Sequence, residues 1–218
     1  MKRWDILQKL IDVNGYKSYL ELGTFIGETF EKIKIQKKIS VDIERRYDGL
    51  NYCMSTDDFF KQNQHSYDII FIDANHEDEY VWKDINNALR VLNWNGAIIC
   101  HDCNPTSEQN TLFESLGRGL PYNGTVYRSI GRLHATNPFV KICTVDTDWG
   151  VGIIIPTGEP QQLIQVPFES YQDFTRNKQY ILNLISTNTF EEVFRYKIDQ
   201  PLPKIEQPVK RKKIFGIF

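Results

Sequence analysis

No stretch of this 218-residue chain approaches the roughly 18–20 consecutive apolar residues that a membrane-spanning helix requires. The segment Met1 to Asp5 leads into an amphipathic pattern (Trp4, Ile6, Leu7, Leu10, Ile11) instead of the apolar core of a secretion signal, so the expected location is the cytoplasm. An excess of one charge is also missing. Lys and Arg number 26 against 28 Asp and Glu, a formal net charge of −2 that offers no global attraction to nucleic acid or an anionic bilayer. Cysteine is scarce: Cys53, Cys100, Cys103 and Cys143 fall in or beside apparent strands. Cys100-His101-Asp102-Cys103 is formally C-x-x-C, yet no second pair completes a zinc site, and it closes a strand where a redox pair would open a helix. These thiols are read as core or strand-end residues. Asn123-Gly124-Thr125 fits a glycosylation sequon but, with no secretion signal, reads as a turn.

What remains is an ordinary globular composition without internal repeats, long enough for one core. One domain is expected over 1–196. A tail follows over 197–218, with Pro201, Pro203, Pro208 and the run Lys210-Arg211-Lys212-Lys213. That tail is read as a disordered terminus in preference to a membrane or partner contact. Within the domain, helix and strand patterns alternate. A helix over Asp5–Asn14 is closed by Gly15, and a strand over Ser18–Leu22 leads to a helix over 28–35 and a strand over 38–43. The loop 44–51 is too short for a crossover helix before a strand at 52–54 and a short helix at 57–62. Tyr67–Asp73 is nearly continuous apolar sequence, the mark of a central parallel strand. Helical periodicity over 79–92, a turn at Asn95-Gly96 and a buried strand at 97–100 follow. A loop over 105–123 is long enough to be a functional lid. A helix over 125–133 precedes strands at 140–145 and 150–155, read as an antiparallel pair at the sheet edge, and helices are expected at 174–185 and 189–196.

Chemistry-bearing residues gather at strand ends, where ligands bind in open α/β sheets. Glu21-Leu22-Gly23-Thr24-Phe25-Ile26-Gly27 follows the first strand, and Asp42 ends the second at the spacing of an acid that receives a ribose hydroxyl pair. The glycines at 23 and 27 omit the middle glycine of G-x-G-x-x-G, which weakens a dinucleotide reading. Asp73 and Asp102 directly follow the two most buried strands, where a carboxylate without a partner would be costly. His76 and His101 lie in the same crevice, His76 read as base or ligand and His101 as orienting its turn. His65 and His134 are read as surface residues. Tyr127 and Arg128 are open between acceptor contact and packing on the sheet.

These segments, with Met54-Ser55-Thr56-Asp57, Asp73-Ala74-Asn75-His76, Ile99-Cys100-His101-Asp102-Cys103-Asn104 and Asp146-Thr147-Asp148-Trp149, resemble the class I S-adenosylmethionine (SAM) dependent methyltransferases. The likeness is to a small group similar to the metal-dependent catechol and sugar O-methyltransferases and linked to surface-polysaccharide synthesis. It implies a Rossmann-like α/β three-layer sandwich, with a mostly parallel seven-stranded sheet whose last strand is antiparallel. It also implies SAM held by Glu21, Gly23, Thr24 and Gly27 at its methionine end, by Asp42 at the ribose, and by Ser55, Thr56 and Asp57 near the adenine, with Asp73 alongside. Asp73, His76 and Asp102 are the implied catalytic residues. Asp73, Asp102 and Asn104 are the candidate ligands for Mg²⁺ or Mn²⁺, although Cys103 stands where the relatives follow the second acid with Asn or Asp. The acceptor implied is a sugar or glycan hydroxyl, and a homodimer is compatible. A metal-independent methyltransferase on another small molecule, a nucleotide-sugar or NAD-linked enzyme, and a silent SAM-binding module are the rival readings.

Overall fold

A computed structural model describes residues 1–195 and residue 197; apart from Lys197, the tail expected at 197–218 lies outside the described residues. Helix α1 (Arg3–Asn14) buries Ile6, Leu7, Leu10 and Ile11 and stops at Gly15 in the left-handed conformation. Strand β1 (Ser18–Leu22) feeds α2 (Glu28–Lys32), shorter than its pattern suggested, and β2 (Lys37–Asp42) follows. As the short intervening loop requires, no helix separates β2 from β3 (Tyr52–Cys53). Then come α3 (Thr56–Gln62), capped by the Ser55 hydroxyl, β4 (Tyr67–Ile72), α4 (Asp78–Val91) and β5 (Leu92–Cys100). The long loop is not featureless. It holds a 3-10 turn at Glu108–Thr111 and a single-turn α5 (Glu114–Gly117) ahead of α6 (Val126–Thr136). The chain continues through β6 (Val140–Val145), β7 (Val151–Pro156), α7 (Tyr171–Leu182), β8 (Leu184–Ile185) and α8 (Thr187–Val193).

The strands form one sheet in the order β3-β2-β1-β4-β5-β7-β6-β8, in which β7 is antiparallel to both its neighbours and every other pairing is parallel. This is the expected Rossmann-like arrangement with one addition. Leu184–Ile185, expected to extend a helix, forms a two-residue eighth strand on β6 after Asn183 turns left-handed and breaks α7. The β6–β7 pair therefore has a neighbour on both sides.

The period of two in the central strands splits the core between two layers. Leu20, Leu22, Ile70, Ile72, Ile98 and Cys100 pack with residues of α3, α4, α6 and α7. Tyr19, Ile69, Phe71, Ala97 and Ile99 pack with α1, α2 and α8 on the other face. Cys100, Cys103 and Cys143 are buried free thiols and Cys53 is exposed, in keeping with a structural role. Tyr127 is fully buried, its ring 4.4 Å from that of Phe174, so the packing reading holds for it. His134 is not a surface residue: it is partly buried with Nδ1 3.0 Å from the Ile181 carbonyl. Among the described residues no helix is long and apolar enough to cross a membrane.

Candidate active site

The carboxyl ends of β1, β2, β4 and β5 open on one edge of the sheet, and the strand order reverses between β1 and β4, the position where such sheets bind ligands. A cavity of about 810 Å³ lies there, within the roughly 300–1,000 Å³ typical of small-molecule sites. Of the residues expected to bind cofactor, Glu21, Gly23, Thr24, Asp42, Ser55, Thr56, Asp57 and Asp73 all line it. Gly27 does not. It caps α2 at a φ of 81°, with the Tyr47 ring where a side chain would stand.

Gly23 has a φ of 85°, and a Cβ there would collide with the backbone of Asp73 and Ala74. The first turn therefore lies directly on the end of β4. Phe25, left-handed at φ 49°, occupies the place of the missing middle glycine, and its amide donates to Asp42 Oδ2 at 2.7 Å. Asp42 also receives the Glu44 amide at 3.0 Å, which fixes the carboxylate at the cavity wall. Glu21 accepts a hydrogen bond from the Tyr19 hydroxyl. Burial pushes its carboxyl up to about 8, against the pull of that hydroxyl, so Glu21 is largely neutral near pH 7.

At the other wall, loops after β4 and β5 bring four groups together. Asp73 Oδ1 lies 3.3 Å from His76 Nε2 and 3.3 Å from His101 Nδ1. Asp102 Oδ2 lies 3.4 Å from His76 Nε2 and 3.0 Å from His101 Nδ1. Asp102 takes a left-handed φ of 59°, and its other oxygen accepts from Asn123 at 2.7 Å, so the carboxylate is aimed by both turn and partner. Burial opposes charge on Asp73, but His101 and His76 outweigh it and hold the carboxyl well below the usual range. Burial likewise disfavours a charged His76, yet Asp73 and Asp102 prevail and push it up to about 9. Its Nδ1 is 3.1 Å from the Tyr122 carbonyl, which can only accept, so Nδ1 carries a proton and Nε2 is the nitrogen that faces the carboxylates.

Asp73, His76 and Asp102 each offer one donor atom within 4.8 Å of the others, a set that could hold a divalent cation. The two carboxylates suit Mg²⁺ or Mn²⁺, whereas the imidazole is a donor more typical of Zn²⁺ or Fe²⁺. Asn104, the other candidate ligand, has a buried Oδ1 with no hydrogen-bond partner among the described residues. Its amide nitrogen donates to Asp146 at 2.9 Å, and it is not among the residues lining the cavity.

Several lining residues carried no sequence signal. Arg3, from the start of α1, sets Nη1 2.9 Å from His101 Nε2 and 3.2 Å from Asp148 Oδ2. A lone arginine on an amphipathic helix has no periodicity to betray it. Burial disfavours charge on His101, but Asp73 and Asp102 prevail and push it well above the usual imidazole range, with Nδ1 directed toward both carboxylates. Tyr122 stacks on His76 with ring centroids 5.6 Å apart, and Phe113 meets Tyr122 edge-on at 6.0 Å. For these, loop length was the available hint.

Residues 43–103 match a family model described as a methyltransferase domain, a span that includes Asp73, His76 and Asp102. No curated protein matches the chain. Among solved structures, the fold resembles an O-methyltransferase from Bacillus cereus in complex with SAH, at 17% identity over 71% of this chain and 80% of that one, with a TM-score of 0.52. It also resembles the O-methyltransferase TomG of Streptomyces achromogenes, involved in tomaymycin synthesis and bound to SAM, at 16% identity over 72% and 80% with a TM-score of 0.53. A third likeness is to an SAH-bound methyltransferase of Podospora anserina, at 17% identity over 71% and 76% with a TM-score of 0.51. At these identities the shared property is the fold. Fold and family match together support a SAM-dependent methyltransferase.

Proposed function

We propose that this chain is a SAM-dependent O-methyltransferase that transfers a methyl group to a hydroxyl of a sugar or glycan, assisted by a divalent cation. The observation that carries the transfer chemistry is the convergence of Asp73, His76 and Asp102 in a cavity that the Gly23 turn and Asp42 also line. The sugar assignment rests on the family resemblance of the sequence segments. SAM would lie along the Gly23 turn, with Asp42 toward its ribose and Ser55, Thr56 and Asp57 toward its base, and it supplies a methyl already activated on a sulfonium. The site favours this donor over a dinucleotide. Phe25 stands where the dinucleotide motif has its middle glycine, and its amide is already taken by Asp42.

The protein's share of the work is alignment and proton removal. Holding the acceptor in line can supply roughly 7–11 kcal/mol of barrier lowering. His76 would receive the acceptor's proton at Nε2, its Nδ1–H anchored on the Tyr122 carbonyl. Without a cation the two carboxylates keep His76 protonated up to about pH 9, so as an unaided base it acts on the alkaline side of neutrality. A divalent ion held by Asp73 and Asp102 would compete with that proton and lower the acceptor's own pKa. The direct test is incubation with SAM and a panel of glycans and phenolic or amino acceptors, with and without Mn²⁺, read by mass spectrometry. Methylation of sugar hydroxyls that disappears on chelation is expected. Transfer only to other acceptors would remove the sugar assignment, chelation without effect would remove the metal, and binding of NAD in place of SAM would overturn the reading altogether.

A further inference from the structure

Charge is unevenly distributed around the cavity. Among its lining residues, Arg3 and Arg46 are the two permanent cations. Arg46 pairs with Glu44 and lies 5.1 Å from the Phe25 ring centroid, on the Asp42 side. Arg3 is alone at the other end, its Nε 3.9 Å from Asp73 Oδ2, where Asp73 meets the Gly23 turn. Carboxylates dominate that end, since Glu28 and Asp73 also line it and Asp148 lies behind Arg3.

The Arg3 guanidinium is held by one part and open at another. Nε donates to Thr29 Oγ1 at 3.1 Å, and Nη1 donates to Asp148 at 3.2 Å and lies 2.9 Å from His101 Nε2. The Nη2 group has no hydrogen-bond partner among the described residues. With Nε and Nη1 engaged, the Nη2 hydrogens are the donors left to this guanidinium, and the fixed plane sets their direction for a charge-assisted bond to a carboxylate oxygen. The anchoring is itself braced, because Lys2 pairs with Asp148 at 2.8 Å and the Met1 carbonyl accepts from Thr147 at 2.7 Å.

We propose that Arg3 is the anchor for the amino-acid end of the cofactor, its Nη2 group receiving the α-carboxylate of SAM. This rests on the SAM reading above. That carboxylate is the donor's one anionic group, and without Arg3 it would enter an end of the cavity lined by acids. Arg3 lies outside the span 43–103 matched to the methyltransferase family model, so the start of α1 supplies a part of the site that the matched segment lacks.

Isothermal titration of the full chain with S-adenosylhomocysteine (SAH) and with decarboxylated SAH, which lacks only the carboxylate, tests the assignment. Wild type should prefer SAH. Arg3→Gln should weaken SAH by about 10- to 100-fold, the range of a charge-assisted hydrogen bond, and leave decarboxylated SAH bound as in wild type. Arg3→Lys, which keeps the charge and loses the contacts that aim Nη2, should fall between. Equal losses for both ligands would mean that Arg3 only shapes the site, and unchanged SAH binding in Arg3→Gln would overturn the proposal. Should Arg3→Gln not fold, wild type decides: equal affinity for the two ligands sinks the assignment. Wild type that binds neither SAH nor SAM refutes the SAM reading itself, an outcome distinct from all of these.

Discussion

His76 concentrates the argument at the scale of a residue. Its imidazole touches two carboxylates through Nε2 and one carbonyl through Nδ1, so its charge is coupled to its neighbours and not to solvent. Its pKa in the fold, about 9, exceeds the unfolded value of about 6.5. The stability this contributes is complete below about pH 6.5 and is lost as pH rises through about 9. Urea titrations in the absence of divalent ions should therefore show stability falling across that window, and His76→Gln should flatten the fall. The same substitution should lower methyl transfer by about 10²- to 10⁴-fold while SAH binding, measured by calorimetry, stays near wild type. Gly23 is constrained by space instead of charge. In Gly23→Ala a left-handed φ alone costs roughly 1–2 kcal/mol, and the new methyl meets the Asp73 backbone. Loss of SAH binding together with a lower urea midpoint is expected.

Elements carry a different lesson, because one helix can serve core and site at once. α4 turns Val81, Ile85 and Ala88 into the core, yet it also buries Asp84. Burial pushes the Asp84 carboxyl up to about 7, with Thr56 at the head of α3 pulling the other way. A raised acid is protonated in the fold while ionised in the unfolded chain, so its contribution is full below about pH 4 and lost by about pH 7. Asp84→Asn should remove that decline, visible as a higher melting temperature than wild type at pH 8 and little difference at pH 4. The segment over 105–123 is the other two-sided element. Phe113 is 67% exposed and Leu116 57% exposed, although both line the cavity. Phe113→Ser should leave stability within about 0.5 kcal/mol and raise the KM of an acceptor about tenfold by removing apolar contact, with SAH affinity unchanged.

For the whole molecule, a ligand that binds only the folded state must stabilise it. SAH at a hundred times its dissociation constant should add about 2.7 kcal/mol to unfolding free energy, read as a shift in the urea midpoint, and NAD at the same concentration should add nothing. The basis is that one sheet edge unites strands from the first half of the chain, so occupancy of the cavity ties Asp42, Asp73 and Asp102 into one cooperative unit.

The nearly continuous apolar sequence at 67–72 and 97–100 pointed to central parallel strands by itself, because strands covered on both faces must be apolar on both. The acids at 73 and 102 were legible for a related reason, since a carboxylate at the end of a buried strand requires a partner, and Asp42 was legible from its spacing after the glycine turn. Local pattern could not announce β8, whose two residues pair only because β6 is already in place. It was equally silent on the approach of Arg3 to His101, across 98 positions of sequence, and on the turning of Asn104 toward Asp146 and out of the cavity lining. Periodicity along a chain records what each element must bury. Which side chains converge between elements depends on distances that exist only once the layers have packed, and there the tertiary structure alone decides.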